Sequence, residues 1–204
     1  MAHPYFHALA SVNRYGGQWT DYIALHERLD SSKAHYAHCK HRLALHNTWG
    51  VSILTQLLGP LWNAQPTADL LEQHVCEDLG RYPLLSDYLS ETTQTIDSQT
   101  HSLLSTRRFG GQPTDYQDLH NVLDQLDWPE PQTRQLTHNS WGIYLIEVLY
   151  GSTFLRASDQ QRVPTRPLLE LHVSHELGRI PTLAEALANC PLPRWACRAT
   201  RLNA

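Results

Sequence analysis

The chain has 204 residues, 41% of them hydrophobic, which is enough to build a core and excludes a disordered protein. Its formal net charge of −4 excludes an overall basic field that would hold a nucleic-acid backbone, so there is no strong nucleic-acid signal. No apolar run approaches the roughly 20 residues that a membrane-spanning helix needs, so no membrane association is expected.

The first half of the chain begins with helical patterns. Residues 4–13 are predicted to form a short helix that ends before the glycine pair at 16–17. Thr20 or Asp21 caps a second helix, whose apolar side chains recur at helical spacing. A longer helix is predicted over 33–58, because the same spacing continues until a Gly-Pro pair.

Proline and glycine mark the ends of the remaining helices of the first half. Pro66 and Thr67 open a helix that Gly80 closes, and Pro83 begins a last short helix. The polar stretch 90–99 is predicted to be the junction with the second half.

The second half repeats the first in the same order. Equivalent residues recur at an offset of 94, then 92, then 98, and the motif His-Asn-x-Trp-Gly begins at both His46 and His138. Residues 152–163 are long enough for a small hairpin or loop that the first half lacks. Residues 188–204 are expected to form a loosely attached tail.

These patterns predict an all-α fold, a tandem duplication of a helical-bundle domain. The first His-rich repeat would cover 1–92, and a second, diverged repeat with its C-terminal tail would cover 93–204. A lone repeat has a limited core, so we expect the halves to superpose about an approximate two-fold axis and to bury a shared apolar face. The chain would then be a monomer that forms an internal pseudo-dimer. The predicted core positions are Leu25, Leu29, Trp49, Ile53, Leu57, Leu79, Leu119, Leu123, Trp141, Leu145, Leu149 and Leu177.

The cysteines indicate a redox compartment. Cys39, Cys76, Cys190 and Cys197 form no CxxC pair, and no signal peptide precedes the first helix. These observations predict a cytoplasmic protein with reduced thiols, and they argue against structural zinc held by thiolates.

Thirteen histidines are about three times the number expected in an ordinary globular chain. Four per half recur in the same order, and their neighbours place them on apolar helix faces. A buried imidazole must have both ring nitrogens satisfied, and a metal ion can satisfy several at once. The recurring histidines are His7, His26, His46 and His74, with His101, His120, His138 and His172.

Local spacing suits metal ligands as well. His26 lies four residues before Asp30, and His74 lies three before Glu77 and four before Asp78, so each group shares one helix face. In the second half, histidine and glutamate replace Glu77 and Asp78. Imidazole with carboxylate suits zinc, iron or manganese, and helical bundles gather such ligands in their interior. The predicted metal ligands are His26, Asp30, His46, His74, His120, Asp124, His138 and His172.

Simpler interpretations of the same residues remain open. A histidine on an apolar stripe is usually a core residue hydrogen-bonded to a carboxylate or carbonyl. Lys33, Arg42 and Arg134 are candidate anion-binding residues because arginine forks match phosphate oxygens, but they could equally pair with acids on helix surfaces. His35, His38 and His41 have no counterparts and are expected on a solvated helix face.

The first half resembles a family of small, uncharacterised single-domain proteins of bacteria and their phages. The resemblance covers nearly all of residues 3–89, and it brings no established activity. Ala68 stands where the family's Val-Pro-x-Arg motif has arginine, whereas the second half keeps Val163-Pro164-Thr165-Arg166. The matching residues are His3-Pro4, His7-Ala8-Leu9, Gly16-Gly17, Asp21-Tyr22, His26, Asp30, Ser32-Lys33, His41-Arg42, His46 and Glu72-Gln73-His74-Val75 with Glu77-Asp78-Leu79-Gly80.

Two functions therefore remain open. The first is a metal-dependent hydrolase for a phosphoester or nucleotide, in which Glu77 and Asp78 are the catalytic carboxylates and Lys33 or Arg42 neutralises the substrate. The second is a non-catalytic binding protein, phage-derived or bacterial, for a small anionic ligand or a host protein. The first half is expected to carry the better-formed site, because the second replaces the neighbourhood of Lys33 with the proline-rich stretch 127–131.

Overall fold

A computed structural model describes residues 3–36, 38–89, 98–124, 131–190 and 192–197. The chain divides into two compact units, one of Met1–Leu89 with Cys190–Ala204 and one of Ser90–Asn189. Helices dominate both, so the all-α prediction is confirmed. Within the described ranges, no helix combines the length and the apolar character needed to cross a bilayer. The predicted domain boundary at residue 92 and most of the predicted junction lie outside the described residues, and the two-fold relation between the halves stays a prediction.

The first unit consists of five α-helices, one short hairpin and several 3-10 turns within its described residues. Short 3-10 turns connect them at Trp19–Asp21, Ser31–Ala34, His38–His41, Leu85–Asp87 and Arg194–Cys197. The regular elements are α1 Pro4–Tyr15, α2 Ile23–Leu29, α3 Arg42–Leu45, α4 Thr48–Leu58, β1 Leu61–Trp62, β2 Gln65–Pro66 and α5 Thr67–Leu79.

The second unit repeats this order of elements. Its 3-10 turns are Pro113–Asp115 and Pro131–Thr133. The regular elements are α6 Ser98–Phe109, α7 Gln117–Asp124, α8 Arg134–Thr137, α9 Ser140–Tyr150, β3 Thr153–Leu155, β4 Arg162–Pro164, α10 Thr165–Leu177 and α11 Leu183–Ala186.

The helix ends follow the proline and glycine signals of the sequence. α1 starts at Pro4, where a missing N–H costs no helical hydrogen bond, and its C-cap is Gly16. α5 ends at Gly80, which has φ of 70° in the left-handed region that favours glycine. Gly178 ends α10 in the same way. Pro83 opens no α-helix, and only the 3-10 turn Leu85–Asp87 follows it.

The predicted long helix over 33–58 is wrong, because the chain turns sharply between α3 and α4. Asn47 lies in an extended conformation, and its side chain accepts a hydrogen bond of 2.9 Å from the Gly50 amide, which caps α4. A Cβ atom on Gly50 would clash with the Leu45 carbonyl oxygen, so the tight turn requires glycine there. The second unit has the same turn at Asn139 and Gly142.

Each unit contains a two-stranded antiparallel hairpin. Residues 152–163 contain most of the hairpin of β3 and β4, in which Phe154 pairs with Val163. The first unit has a smaller one, in which Trp62 pairs with Gln65. The expectation that the first half lacks a hairpin is therefore wrong.

The core is close to the predicted one. Nine of the twelve predicted positions are buried, and Leu57 and Leu149 are half-buried because they lie near the ends of α4 and α9. Leu177 is 47% exposed, so its prediction is wrong. It is the last residue of α10, whereas Leu79, the last residue of α5, is buried.

The C-terminal segment is not a loose tail in the part that the structure describes. Residues 192–197 belong to the first unit, and Ala196 is fully buried. A disulfide joins Cys39 to Cys197 across 158 positions of sequence. The prediction of reduced thiols is wrong for this pair, because it considered only local spacing, whereas the fold brings distant cysteines together.

Candidate metal centre

Four buried side chains of the first unit converge in its interior. One ligand atom from each of Asp30, His46, His74 and Asp78 lies within 4.8 Å of all the others. Asp30 follows the end of α2, and His46 lies at the sharp turn between α3 and α4. His74 and Asp78 are one turn apart on α5. Three separate parts of the chain therefore direct polar groups to one point.

The distances in this group suit a shared ion better than direct hydrogen bonds. His46 Nε2 lies 3.6 Å from Asp30 Oδ1 and 3.5 Å from Asp78 Oδ2. Hydrogen bonds of this type are about 2.7–3.2 Å long. Two atoms bound tetrahedrally to one zinc ion at about 2.0–2.1 Å lie roughly 3.3 Å apart. The observed spacing is therefore close to that of a ligand set.

Several buried nitrogens of this group lack a hydrogen bond within the described ranges. These are both ring nitrogens of His46 and Nε2 of His74, and both residues are fully buried. Leaving a buried polar atom unsatisfied costs about 1–3 kcal/mol. A cation among the four side chains would accept lone pairs from Nε2 of His46 and Nε2 of His74 and remove that cost for these two atoms.

A hydrogen-bonded chain behind His74 orients its ring. His74 Nδ1 lies 3.0 Å from His26 Nδ1, and His26 Nε2 lies 3.0 Å from the hydroxyl of Ser11. A His74 that keeps Nε2 free for a metal carries its proton on Nδ1 and donates it to His26. His26 then carries its own proton on Nε2 and donates it to Ser11. These two hydrogen bonds therefore stabilise the tautomer of His74 that a metal ligand needs.

The second unit contains the same hydrogen-bonded series of a serine and two histidines. His172 Nδ1 lies 2.9 Å from His120 Nδ1, and His120 Nε2 lies 2.9 Å from the hydroxyl of Ser105. His26 and His120 were predicted to be ligands, but both direct their two ring nitrogens to these neighbours. Their geometry suits supporting residues behind the ligands.

The second unit also has a convergent group, composed of His101, Asp124, His172 and Glu176. His172 Nε2 lies 3.1 Å from Asp124 Oδ1 and 3.5 Å from Glu176 Oε1. His138 lies at the edge of the group, with Nε2 3.1 Å from Glu176 Oε2. Both halves of the duplication therefore gather imidazoles and carboxylates at equivalent places.

Comparison with known proteins agrees with the duplication. The model of one family, a domain of unknown function (DUF6915), matches residues 2–98 and again residues 96–196. The chain belongs to the DUF6915 family. It contains two DUF6915 domains in tandem, and the family description assigns no activity to them. No curated protein and no solved structure matches the chain.

Cations lie beside the carboxylates of each DUF6915 domain. Lys33 Nζ is 2.5 Å from Asp30 Oδ2, and Arg42 Nη2 is 2.7 Å from Asp78 Oδ2. In the second domain, Arg134 bonds Glu176. These three cations were predicted to bind an anion. Arg42 is only 1% exposed, so its guanidinium is directed to internal partners.

Burial keeps most histidines of the two DUF6915 domains neutral. It lowers the pKa of His26 to about 3 and that of His172 to about 3, and it lowers the pKa of His74 well below its usual range. Burial also opposes the charged form of His7, but the carboxylates of Asp78 and Glu77 beside its ring outweigh burial and raise the pKa of His7 to about 9. Neutral imidazoles are the form that binds metal.

The carboxylates predicted to be catalytic occupy different positions. Asp78 is a member of the convergent group, and burial opposes its ionisation, but the close approach of His46 and His7 and the charge of Arg42 hold its pKa well below the usual range. Glu77 lies outside the group, where its carboxylate contacts His7 Nδ1 at 2.6 Å and accepts a hydrogen bond from Gln73. Glu77 therefore orients His7 rather than joining the four ligands.

Other placements depart from the sequence expectations. His41 is fully buried, with Nε2 3.4 Å from Asp30 Oδ1, so its placement on a solvated face is wrong. His35 is exposed, and the side chain of His38 lies outside the described part. His101 and Glu176 belong to the second group although neither was predicted to be a ligand.

Ser11 and Ser105 were also missed. They recur at the same offset of 94 as the first block of histidines, which is the signal that could have revealed them.

Of the stretch 127–131 that distinguishes the second half, residues 127–130 lie outside the described part of the chain.

Proposed function

We propose that this chain is a metal-binding protein in which each domain holds a divalent ion of zinc, iron or manganese. In the first domain, the ligands are Asp30, His46, His74 and Asp78. The observation that carries the proposal is the position of His46 Nε2, 3.5 Å from Asp78 and 3.6 Å from Asp30, because this spacing is too long for hydrogen bonds and close to that of a ligand set. Mixed imidazole and carboxylate ligands suit these three metals.

In the second domain, we propose Asp124, His172 and Glu176 as ligands, with His101 completing the group. The support is the repeated chain from a serine through one histidine to a second histidine, which orients the Nε2 atom of His172 towards the two carboxylates. Such supporting hydrogen bonds are usual behind metal-bound histidines. His138 is the next candidate, since it lies beside Glu176.

Metal analysis of protein purified without added ions tests this proposal. We expect up to two ions per chain, and we expect uptake of Zn²⁺, Fe²⁺ or Mn²⁺ by protein stripped with a chelator. His74→Ala should lose the ion of the first domain, whereas His35→Ala, a change of an exposed histidine outside both groups, should keep the full content. A parent protein that neither contains nor takes up any of these ions contradicts the proposal.

The second candidate function is metal-dependent hydrolysis of a phosphoester or nucleotide. The observation that favours it is Lys33, whose Nζ contacts Asp30 while its side chain remains 32% exposed, so a positive charge beside the proposed ion reaches solvent. A bound ion would activate water or polarise a phosphoryl oxygen. Turnover of a phosphoester or nucleotide by the loaded protein, lost in Asp78→Asn and reduced in Lys33→Met, would support it. Tight binding without turnover would instead support a protein that binds a small anionic ligand, and capture of a host protein would support the partner alternative.

A further inference from the structure

The C-terminal segment 192–197, here called the strap, is hydrogen-bonded to an arginine beside the first metal centre. Arg42 Nη1 donates a hydrogen bond of 2.7 Å to the carbonyl oxygen of Ala196, and Arg42 Nη2 donates one of 2.7 Å to Asp78 Oδ2. Both Arg42 and Ala196 are buried. One guanidinium therefore connects the strap to a proposed metal ligand.

A second connection runs through Trp195 of the strap. Its ring centroid lies 5.0 Å from that of Tyr88, and the Arg81 guanidinium lies over the indole at 4.5 Å from its centroid. The Tyr88 hydroxyl donates a hydrogen bond of 3.1 Å to the carbonyl oxygen of His46. The strap thus also packs against Tyr88, which is hydrogen-bonded to the backbone of His46, a second proposed ligand.

The disulfide between Cys39 and Cys197 closes the strap covalently. Cys39 lies in the 3-10 turn His38–His41, and His41 at the end of that turn faces Asp30. Releasing Cys197 would therefore free the end of the strap and loosen a turn that borders a third ligand.

The second domain has no equivalent closure in its sequence. Pro131 occupies the position equivalent to Cys39, at the offset of 92, so this domain has no cysteine there. The side chain of Arg134, the equivalent of Arg42, is 12% exposed, compared with 1% for Arg42. The arginine beside the second centre is therefore the more exposed of the two.

We infer that the strap is a redox-releasable closure of the first metal centre, whereas the second centre exchanges its ion without such control. The inference rests on the proposed function. In the release step, two thiols of a reductant form a disulfide, and their two electrons and two protons pass to the sulfur atoms of Cys39 and Cys197. The strap can then leave Arg42, and solvent and chelators reach Asp78.

Metal release from the zinc-loaded protein into a chromophoric chelator tests the inference. The parent should release its ions in a slow and a fast phase, and the slow phase should be absent from His74→Ala and the fast phase from His172→Ala. Cys197→Ser should accelerate the slow phase about tenfold or more, because the strap can then open locally, and leave the fast phase unchanged. Cys190→Ser is the matched control, because Cys190 belongs to no disulfide, and both phases should keep their rates.

Two further measurements keep the test decisive if Cys197→Ser folds poorly. A phosphine reductant, which has no thiol to bind zinc, should accelerate the slow phase of the parent to the same extent. Peptide mapping of the parent without reduction should find Cys39 linked to Cys197. Free, alkylated thiols at both positions, or identical slow phases with and without the reductant, would contradict redox control by the strap. The proposed metal binding would be unaffected by either result. No bound metal at all would overturn the proposed function itself.

Discussion

His74 Nδ1 lies 3.0 Å from His26 Nδ1, so two neutral imidazoles share one proton position in the interior of the first domain. One ring must donate and the other must accept, so the tautomer of each ring depends on that of the other. Because the equivalent rings of His172 and His120 are 2.9 Å apart, the duplication has kept this relationship in both halves. In each pair, one histidine can bind an ion, and the other orients the ring of the first.

The first prediction distinguishes these two roles. His26→Ala should weaken the binding of one ion about 10–100-fold and keep the stoichiometry, because a supporting residue is lost. His74→Ala should remove that ion altogether. Competition with a chelator of known affinity measures both changes, and Ser11→Ala should give a smaller weakening than His26→Ala. If His26→Ala also loses the ion at saturating metal, His26 is itself a ligand.

The second prediction concerns the buried ion pair between Arg42 and Asp78. Arg42→Ala leaves the Asp78 carboxylate buried without its guanidinium partner, which should cost about 3–5 kcal/mol of the free energy of unfolding. Urea unfolding in the presence of a chelator measures this loss, and added metal should recover part of it by supplying a new cation. Arg179→Ala, which breaks an exposed pair with Glu185, should change stability little. A similar stability of the two variants would show that the buried pair contributes nothing.

The third prediction concerns the turn that positions His46. Gly50→Ala places a methyl group against the Leu45 carbonyl oxygen, so the start of α4 must move away from α3. We expect a loss of about 1–3 kcal/mol of stability or more, together with weaker metal binding by the first domain, since His46 moves with the turn. Ser52→Ala, an exposed change on the same helix, is the control and should alter neither property. If Gly50→Ala is destabilised but binds metal as the parent does, the turn does not control the geometry of the metal site.

Much of the fold could be predicted from the sequence because its signals are local. Gly80 and Gly178 end α5 and α10 where the sequence predicted, since the backbone there needs a left-handed residue. The turn at His46 was missed for a local reason as well. Asn47 is a strong capping residue, but the apolar spacing on both sides of it imitates one continuous helix.

The candidate site could be predicted only in part, because its decisive features are tertiary. Helical spacing places His74 and Asp78 on one face, and the structure brings both to the first group. The same spacing places His26 near Asp30, yet the ring of His26 turns towards His74 and Ser11. Spacing along a helix indicates the face of a residue, but it does not indicate which partner each ring nitrogen meets.

The fourth prediction is a stability maximum near pH 6.5 for protein kept free of metal. The pKa values of His26 and His172 are about 3 in the folded chain, against 6.5 for an unperturbed histidine, so the unfolded chain binds more protons as the pH falls below 6.5. At about pH 5, each histidine that stays neutral should cost about 2 kcal/mol of stability. The raised pKa of His7, about 9, acts in the opposite direction, since its contribution is present below pH 6.5 and is lost as the pH rises through 9.

Urea unfolding in chelator at several pH values between 5 and 9 measures this dependence. His172→Ala should flatten the acid side of the curve, because one titrating group is removed. A free energy of unfolding that does not change between pH 5 and 7 would mean that these histidines are protonated in the folded chain as readily as in the unfolded one.

The last prediction is that the first domain binds its ion more tightly than the second. All four members of its group are buried, Lys33 contacts Asp30 Oδ2, and His41 lies beside the same Asp30 Oδ1 atom as His46. In the second domain, Thr133 stands at the position of His41, and the proline-rich stretch 127–131 replaces the neighbourhood of Lys33. In protein purified without added ions, His74→Ala should therefore lose more metal and more of its melting temperature than His172→Ala. Equal metal loss from the two variants would refute the asymmetry, and unchanged metal content in both would leave these histidines as hydrogen-bonded core residues.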